Sequence, residues 1–304
     1  MAAPRTIAVG GGKGGVGKSL VAANLAVALA DAGLAVVAVD ADLAGANLHS
    51  CLGERAREAC LADFLLGREP DLGKLVVDAR IPNLRWIGAG AVGAGFARLR
   101  PARHAELARA LRALACDFVV IDVGAGVHPE VVDFFGLGDE GVLVLLPEPT
   151  ALENAYGFLR ATLHRRLELA SPSEEARDRI RLALDPRNER GLRTPLDLLR
   201  DLESLGGDEA ARCADALRAF RPRLVVNQVR SVDDIRLGFS VASVCHRYFG
   251  IDAEYLGYVN HDDCVRRAVL AREPVVRAFP ESDASVYLKR IARKLAAHAP
   301  GAAR

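Results

Sequence analysis

The sequence predicts a doubly wound α/β fold, a mainly parallel sheet flanked by helices, with a helical insertion. Three observations carry this. Short runs rich in Val, Ile and Leu recur along the chain, helix-period stretches separate them, and 51% of the 304 residues are hydrophobic, enough for a sizeable core.

The apolar runs are TIAVGGG (6–12), AVVAVDAD (35–42), LRWIGAG (84–90), FVVIDVG (118–124), GVLVLLPEP (141–149), RLVVNQV (223–229) and AEYLGYVN (253–260). Each is nearly continuous, as a strand covered on both faces must be. SLVAANLAVALADAG reads as the helix after the first run, and PARHAELARALRALA as the helix before Phe118. A helix starts near Thr150, and about 70 residues then precede Arg223, more than one crossover helix needs. That stretch reads as short helices broken at Pro172, Pro186, Gly191, Pro195 and Gly206–Gly207. We therefore expect a single domain over 1–304 with a helical insertion at about 161–222. Charges of both signs are interspersed there, which suits a solvated surface or one that docks a partner.

A net charge of +1 argues against a strongly electrostatic nucleic-acid or membrane binder. Only five of the 40 basic residues are lysines, at 13, 18, 74, 289 and 294, yet two of these fall in one eight-residue loop. The six cysteines (51, 60, 116, 213, 245, 264) are scattered without a C-x-x-C pair, so we expect them reduced and structural. No uncharged run of membrane length and no basic-then-apolar leader is visible, which predicts a cytoplasmic protein.

The loop is GGGKGGVGKSL (10–20). Gly12 to Ser19 fits G-x-x-x-x-G-K-[ST], with a strand before it and a helix after it. Gly12, Lys13, Gly14, Gly15, Val16, Gly17, Lys18, Ser19 and Leu20 are the candidate nucleotide-binding residues. Their backbone N–H groups form an anion nest at a helix N-terminus, Lys18 reaches the β and γ phosphates, and Ser19 ligates Mg²⁺. FVVIDVGAG (118–126) delivers Asp122 at the end of a buried strand, where a carboxylate holds Mg²⁺. Gly124 and Gly126 follow, permitting close backbone approach to a γ-phosphate.

KGGVGKS resembles the deviant phosphate loop of the MinD/ParA family of ATPases. The resemblance implies that Lys13 crosses a dimer interface to the partner's nucleotide. DADLAGANLH (40–49) is similar to the family's switch I, which implies that Asp42 positions the attacking water and the Mg²⁺ shell and that Asn47 lies near the dimer interface. Ala44 stands where the family usually has glycine. LLPEPTALENAY (145–156) resembles the FlhG (FleN) branch. By the same resemblance, Asn227 in VNQVR reads adenine, and Asp262 in YVNHDDCVRRAVLAREPVV (258–276) lies beside the base, with Asn260 replacing the family's proline.

The implied cofactors are ATP/ADP and Mg²⁺. The catalytic set is Lys13, Lys18, Asp42 and Asp122, and the metal set is Ser19, Asp42 and Asp122. The implied function is a slow, partner-stimulated ATPase that homodimerises with ATP in spatial regulation such as flagellum or division-site placement. An effector protein would bind at the insertion. Two alternatives stay open: ParA-type DNA binding for partition, and a nucleotide-binding scaffold without turnover. Without paired cysteines, the cluster chemistry of iron–sulfur relatives is not expected. DASVYLKRIARKLAAHA (283–299) places Leu288, Ile291, Ala292 and Leu295 opposite Lys289, Arg290, Arg293 and Lys294. That helix suits either core packing or reversible contact with an anionic inner-membrane surface.

Overall fold

The structure, a computed structural model, describes residues 3–90, 101–183, 185 and 187–297. Its elements run β1 (Arg5–Gly10), α1 (Lys18–Asp31), β2 (Val36–Ala41), α2 (Leu48–Leu52), α3 (Leu61–Leu65), β3 (Val77–Asp78), β4 (Leu84–Ile87), α4 (Pro101–Arg112), β5 (Phe118–Val123), α5 (Pro129–Phe135) and β6 (Glu140–Leu145). There follow α6 (Pro149–Ala170), α7 (Glu174–Leu182), α8 (Pro195–Glu203), α9 (Gly207–Arg218), β7 (Arg223–Val229), α10 (Val232–Val244), β8 (Glu254–Asn260), α11 (Asp263–Ala271), α12 (Val275–Ala278) and α13 (Asp283–Ala297).

The described strands form one eight-stranded sheet in the order β3-β4-β2-β5-β1-β6-β7-β8. All pairs are parallel except β3 with β4. The seven apolar runs are the seven parallel strands, and the α/β prediction holds. β3 escaped it, because two residues at an edge carry no periodicity. The run at 141–149 ends as strand at Leu145. Pro147 cannot donate to a ladder, and Pro149 opens α6 at a position where its missing N–H costs nothing.

Alternation along the strands sorts the core into two layers. Phe118 and Val120 of β5, with Val36 and Ala38 of β2, pack with α1 and α13, whereas Val119, Ile121, Val37 and Val39 face the layer that includes α5 and α6. The period of two then puts Asp40 and Asp122 on the α1 side, and the parallel register sets them directly opposite each other.

α6 is one unbroken helix of 22 residues through the expected start of the insertion. Ala176, Ile180, Leu198, Leu202, Cys213 and Leu217 of α7–α9 are buried in the same apolar layer as β6 and α6. The insertion is therefore not solvated all round: its inner face is core and its charges lie outside. Of the expected helix breaks, Pro186 falls outside the described residues.

On α13, Leu288, Ile291, Ala292 and Leu295 are at most 2% exposed, against α1 and β8. The apolar stripe weighed as a membrane-contact face is thus consumed by the core. Residues 298 and 299 at its end lie outside the described residues. No helix of the described residues is long and apolar enough to cross a membrane. All six cysteines are free thiols, and Cys60, Cys116, Cys213 and Cys245 are buried.

Candidate nucleotide-binding site

The loop leaves β1, the strand between β5 and β6, and turns into α1 through Gly17. Gly17 has φ 95°, and a Cβ there would lie 2.3 Å from Asn227 Nδ2. Val16 is 1% exposed and pins the loop to the core. Gly12 lies against the first turns of α6, where an added Cβ would meet the Asn154 carbonyl oxygen at 1.9 Å. Gly14 and Gly15 differ: an added Cβ would meet nothing within 4 Å, so this side of the loop is an open cradle of backbone.

Lys18 is 7% exposed, and its Nζ donates to the Lys13 carbonyl at 3.3 Å. That bond uses one of three ammonium donors and bends the side chain back over the loop. Burial lowers its pKa, opposed by the charges of Asp122 and Asp42. Ser19 and Leu20 follow in the first turn of α1; the Leu20 carbonyl is taken by Asn24 Nδ2 at 2.8 Å.

Asp122 is fully buried, and among the described residues neither of its carboxyl oxygens has a hydrogen-bond partner of good geometry. Burial, then repulsion from Asp40, pushes its pKa well above the ordinary carboxylate range, with Ser19 and Lys18 pulling the other way. Asp40 differs in having both oxygens engaged. Oδ1 accepts from the Asp42 N–H at 3.1 Å, and Oδ2 accepts from the Leu48 N–H at 3.1 Å. It braces the β2–α2 loop from beneath. Asp42 Oδ1 accepts from Ala44 and Gly45 N–H at 3.2 and 2.8 Å, and its carboxylate is close to Gly124 after β5. Gly126, with φ 93°, closes that second loop.

An orphaned buried carboxylate beside a lysine and a serine at the mouth of an open glycine cradle fits a hard divalent cation held with a phosphate chain. Ser19, Asp122 and Asp42 carry oxygen donors of the right chemistry for such a cation, and Lys18 carries the charge that would partner a phosphate.

The remaining sequence candidates fall around this centre. Lys13 is partly exposed, with Nζ 3.4 Å from Thr150 Oγ1 and 4.0 Å from Glu148 Oε2. Asn227, 3% exposed, donates from Nδ2 to the Val16 carbonyl at 2.8 Å, so it braces the loop from β7. Asp262 caps α11: Oδ1 accepts from Cys264 N–H and Oδ2 from Ala284 N–H. Oδ1 thus caps α11 and Oδ2 ties its start to α13. Asn47 initiates α2 and donates to the Gly45 carbonyl.

Sequence reasoning missed the bracing role of Asp40 and the contact of α6 with the loop. Both had a signal. Asp40 lies two residues before Asp42 on a period-2 strand, and α6 follows the strand adjacent to β1.

The fold and the site together define a phosphate-loop nucleotide-binding protein of the doubly wound α/β class. Residues 7–275 match the CobQ/CobB/MinD/ParA nucleotide binding domain, and the chain belongs to that family. It is an ATPase-family domain of the MinD/ParA kind. Among its relatives, the antiactivator FleN of Pseudomonas aeruginosa is 30% identical over 96% of this chain and 86% of its own. The flagellum site-determining protein YlxH of Helicobacter pylori is 32% identical over 54% of this chain and 55% of its own. The septum site-determining protein MinD of Pyrococcus horikoshii, solved with Mg-ADP, superposes with a TM-score of 0.66 at 23% identity, covering 96% of each chain, which shows the shared fold.

Proposed function

We propose that this chain is an ATP-driven dimerisation switch that acts in spatial regulation, of the kind named by its site-determining relatives YlxH and MinD. The observation that carries the reading is Asp122, fully buried near Lys18 and Ser19 with no hydrogen bond of good geometry to either oxygen among the described residues. A carboxylate so placed is costly unless it serves a cation.

In this reading the loop N–H groups and Lys18 hold the phosphates, and Ser19, Asp42 and Asp122 hold Mg²⁺. The metal, when bound, neutralises phosphate charge. Asp42, kept in place by the Ala44 and Gly45 N–H groups, accepts a hydrogen bond from the attacking water and orients it. Lys13 has one long hydrogen bond and one loose ion pair in the single chain, so it is free to swing to a second subunit's nucleotide. Asn227 and Asp262 set the side of the pocket toward β7 and β8 where the base would lie. Turnover is slow until an effector docks, and the charged outer face of α7–α9 is the surface offered to it.

The test is solution mass by light scattering for Asp42→Ala protein in Mg-ATP and in Mg-ADP. A dimer in ATP alone, abolished by adding Lys13→Ala, is expected. A monomer in both, with ATP bound, refutes autonomous dimerisation. Retention on DNA only with ATP would turn the reading to partition.

A further inference from the structure

The far end of the sheet carries a second polar cavity. It occupies about 310 Å³ between the turn that precedes β6, residues 137–139, the middle of α6 and the connection from α9 to β7. The phosphate loop leaves β1 at the opposite end of the same sheet, a strand length of roughly 20 Å away. The two sites are therefore separate.

Three arginines, Arg112, Arg166 and Arg221, line the cavity. Arg166 lies with its guanidinium carbon 5.1 Å from the centre of the Phe220 ring, and its Nε is buried without a hydrogen-bond partner among the described residues. Burial lowers its pKa. Thr162, one helical turn earlier on α6, is 1% exposed, and its hydroxyl is also unpartnered. Two orphaned donors four residues apart on one helix thus sit in the wall of the same cavity. The one carboxylate in the lining, Asp139, is already engaged: Oδ2 accepts from the Thr6 N–H at 2.9 Å, and Oδ1 lies 3.9 Å from Arg112.

Three cations against one occupied carboxylate leave an excess of about two positive charges, with planar guanidinium donors and a hydroxyl to meet oxygen acceptors. We infer that this cavity binds a phosphoryl dianion, the phosphate group of a small phosphorylated molecule, at a site distinct from the phosphate loop. Buried Thr162 and half-buried Arg166 are its inner contacts, with Arg112 and Arg221 closing over it from the rim. A guanidinium held on an aromatic ring and lacking a partner for Nε is preorganised for an oxyanion.

The test is calorimetric titration of inorganic phosphate into the full chain saturated with Mg-ADP, with glycerol phosphate as a second probe and chloride at matched ionic strength as the control. Saturable binding of one phosphate is expected. It should weaken about tenfold or more in Arg166→Gln and several-fold in Thr162→Val, the loss of a charge-assisted and of a neutral hydrogen bond respectively. It should survive in Lys18→Ala titrated without nucleotide, in which the phosphate loop is disabled. Unchanged Mg-ADP affinity in the Arg166 and Thr162 variants shows that they fold. No saturable binding, binding that is lost in Lys18→Ala, or binding that both cavity variants retain overturns the inference. Tighter binding of glycerol phosphate than of phosphate would identify a phosphomonoester ligand; equal or weaker binding would identify free phosphate.

Discussion

Asn227 and Val16, 211 residues apart in sequence, are joined by a buried 2.8 Å hydrogen bond from the Asn227 amide to the Val16 carbonyl. The bond ties β7 to the phosphate loop across the top of β6. Asn227→Ala leaves that carbonyl buried and unsatisfied, at a cost of about 1–3 kcal/mol. Nucleotide-free protein should melt several degrees lower, with weaker Mg-ADP binding. Asn227→Asp should be worse, since it sets a carboxylate against the carbonyl oxygen. An unaltered melt in both would show that the bond is incidental.

Asp40 and Asp122 predict a pH dependence for the nucleotide-free protein. Burial first, offset by N–H bonds from Asp42 and Leu48 and reinforced by the Asp42 charge, brings Asp40 to about 7, and Asp122 is raised well above the ordinary value of 3.8. The folded chain therefore holds these protons more tightly than the unfolded one. The stability that Asp40 lends is complete below about pH 4 and is lost as pH rises through about 7, and Asp122 acts in the same direction. Asp122→Asn should remove part of that slope and raise the neutral-pH melting temperature, while abolishing Mg²⁺-dependent nucleotide affinity. Parallel melting-temperature profiles for the two proteins between pH 5 and 8 would contradict it.

Gly12 and Gly14 separate folding from binding. Gly12→Ala drives a methyl into the Asn154 carbonyl and must displace α6, so a loss of about 2 kcal/mol or more is expected in the absence of nucleotide. Gly14→Ala meets no protein atom, and the melt should hold to within about 0.5 kcal/mol. Its methyl instead occupies the cradle, so Mg-ADP affinity should fall about tenfold or more. Equal melts for the two variants would sink the argument.

Lys13→Ala should leave the single chain almost untouched. The side chain is partly exposed and only loosely partnered, which limits its stability contribution to about 0.5 kcal/mol. ADP affinity should change little, whereas ATP hydrolysis should collapse. A destabilised Lys13→Ala protein would mean that the lysine holds α6 in place.

Much of this was readable before the structure. Seven strands announced themselves because burial on both faces demands unbroken apolar runs, and the phosphate loop because its glycines, lysine and serine follow a strand and begin a helix. What stayed hidden depends on register. That Asp40 faces Asp122 follows only once β2 and β5 are known to be neighbours, and that Asn227 lies under Val16 only once β7 is placed two strands from β1. Interspersed charges suggested a solvated insertion, yet the inner residues of α7–α9 repeat too briefly per helix to declare a buried face. The α13 stripe shows the converse: its pattern is the same for a membrane face as for a core face, and only the presence of α1 and β8 against it decides.

α6 touches the phosphate loop with its first turns and anchors the insertion with its last. It is unbroken, about 33 Å long, and has no clearance against Gly12. Loop and insertion are consequently two ends of a single stiff rod. A load that tilted α6 through α7–α9 would press on Gly12, so a grip on the insertion would reach the phosphate cradle.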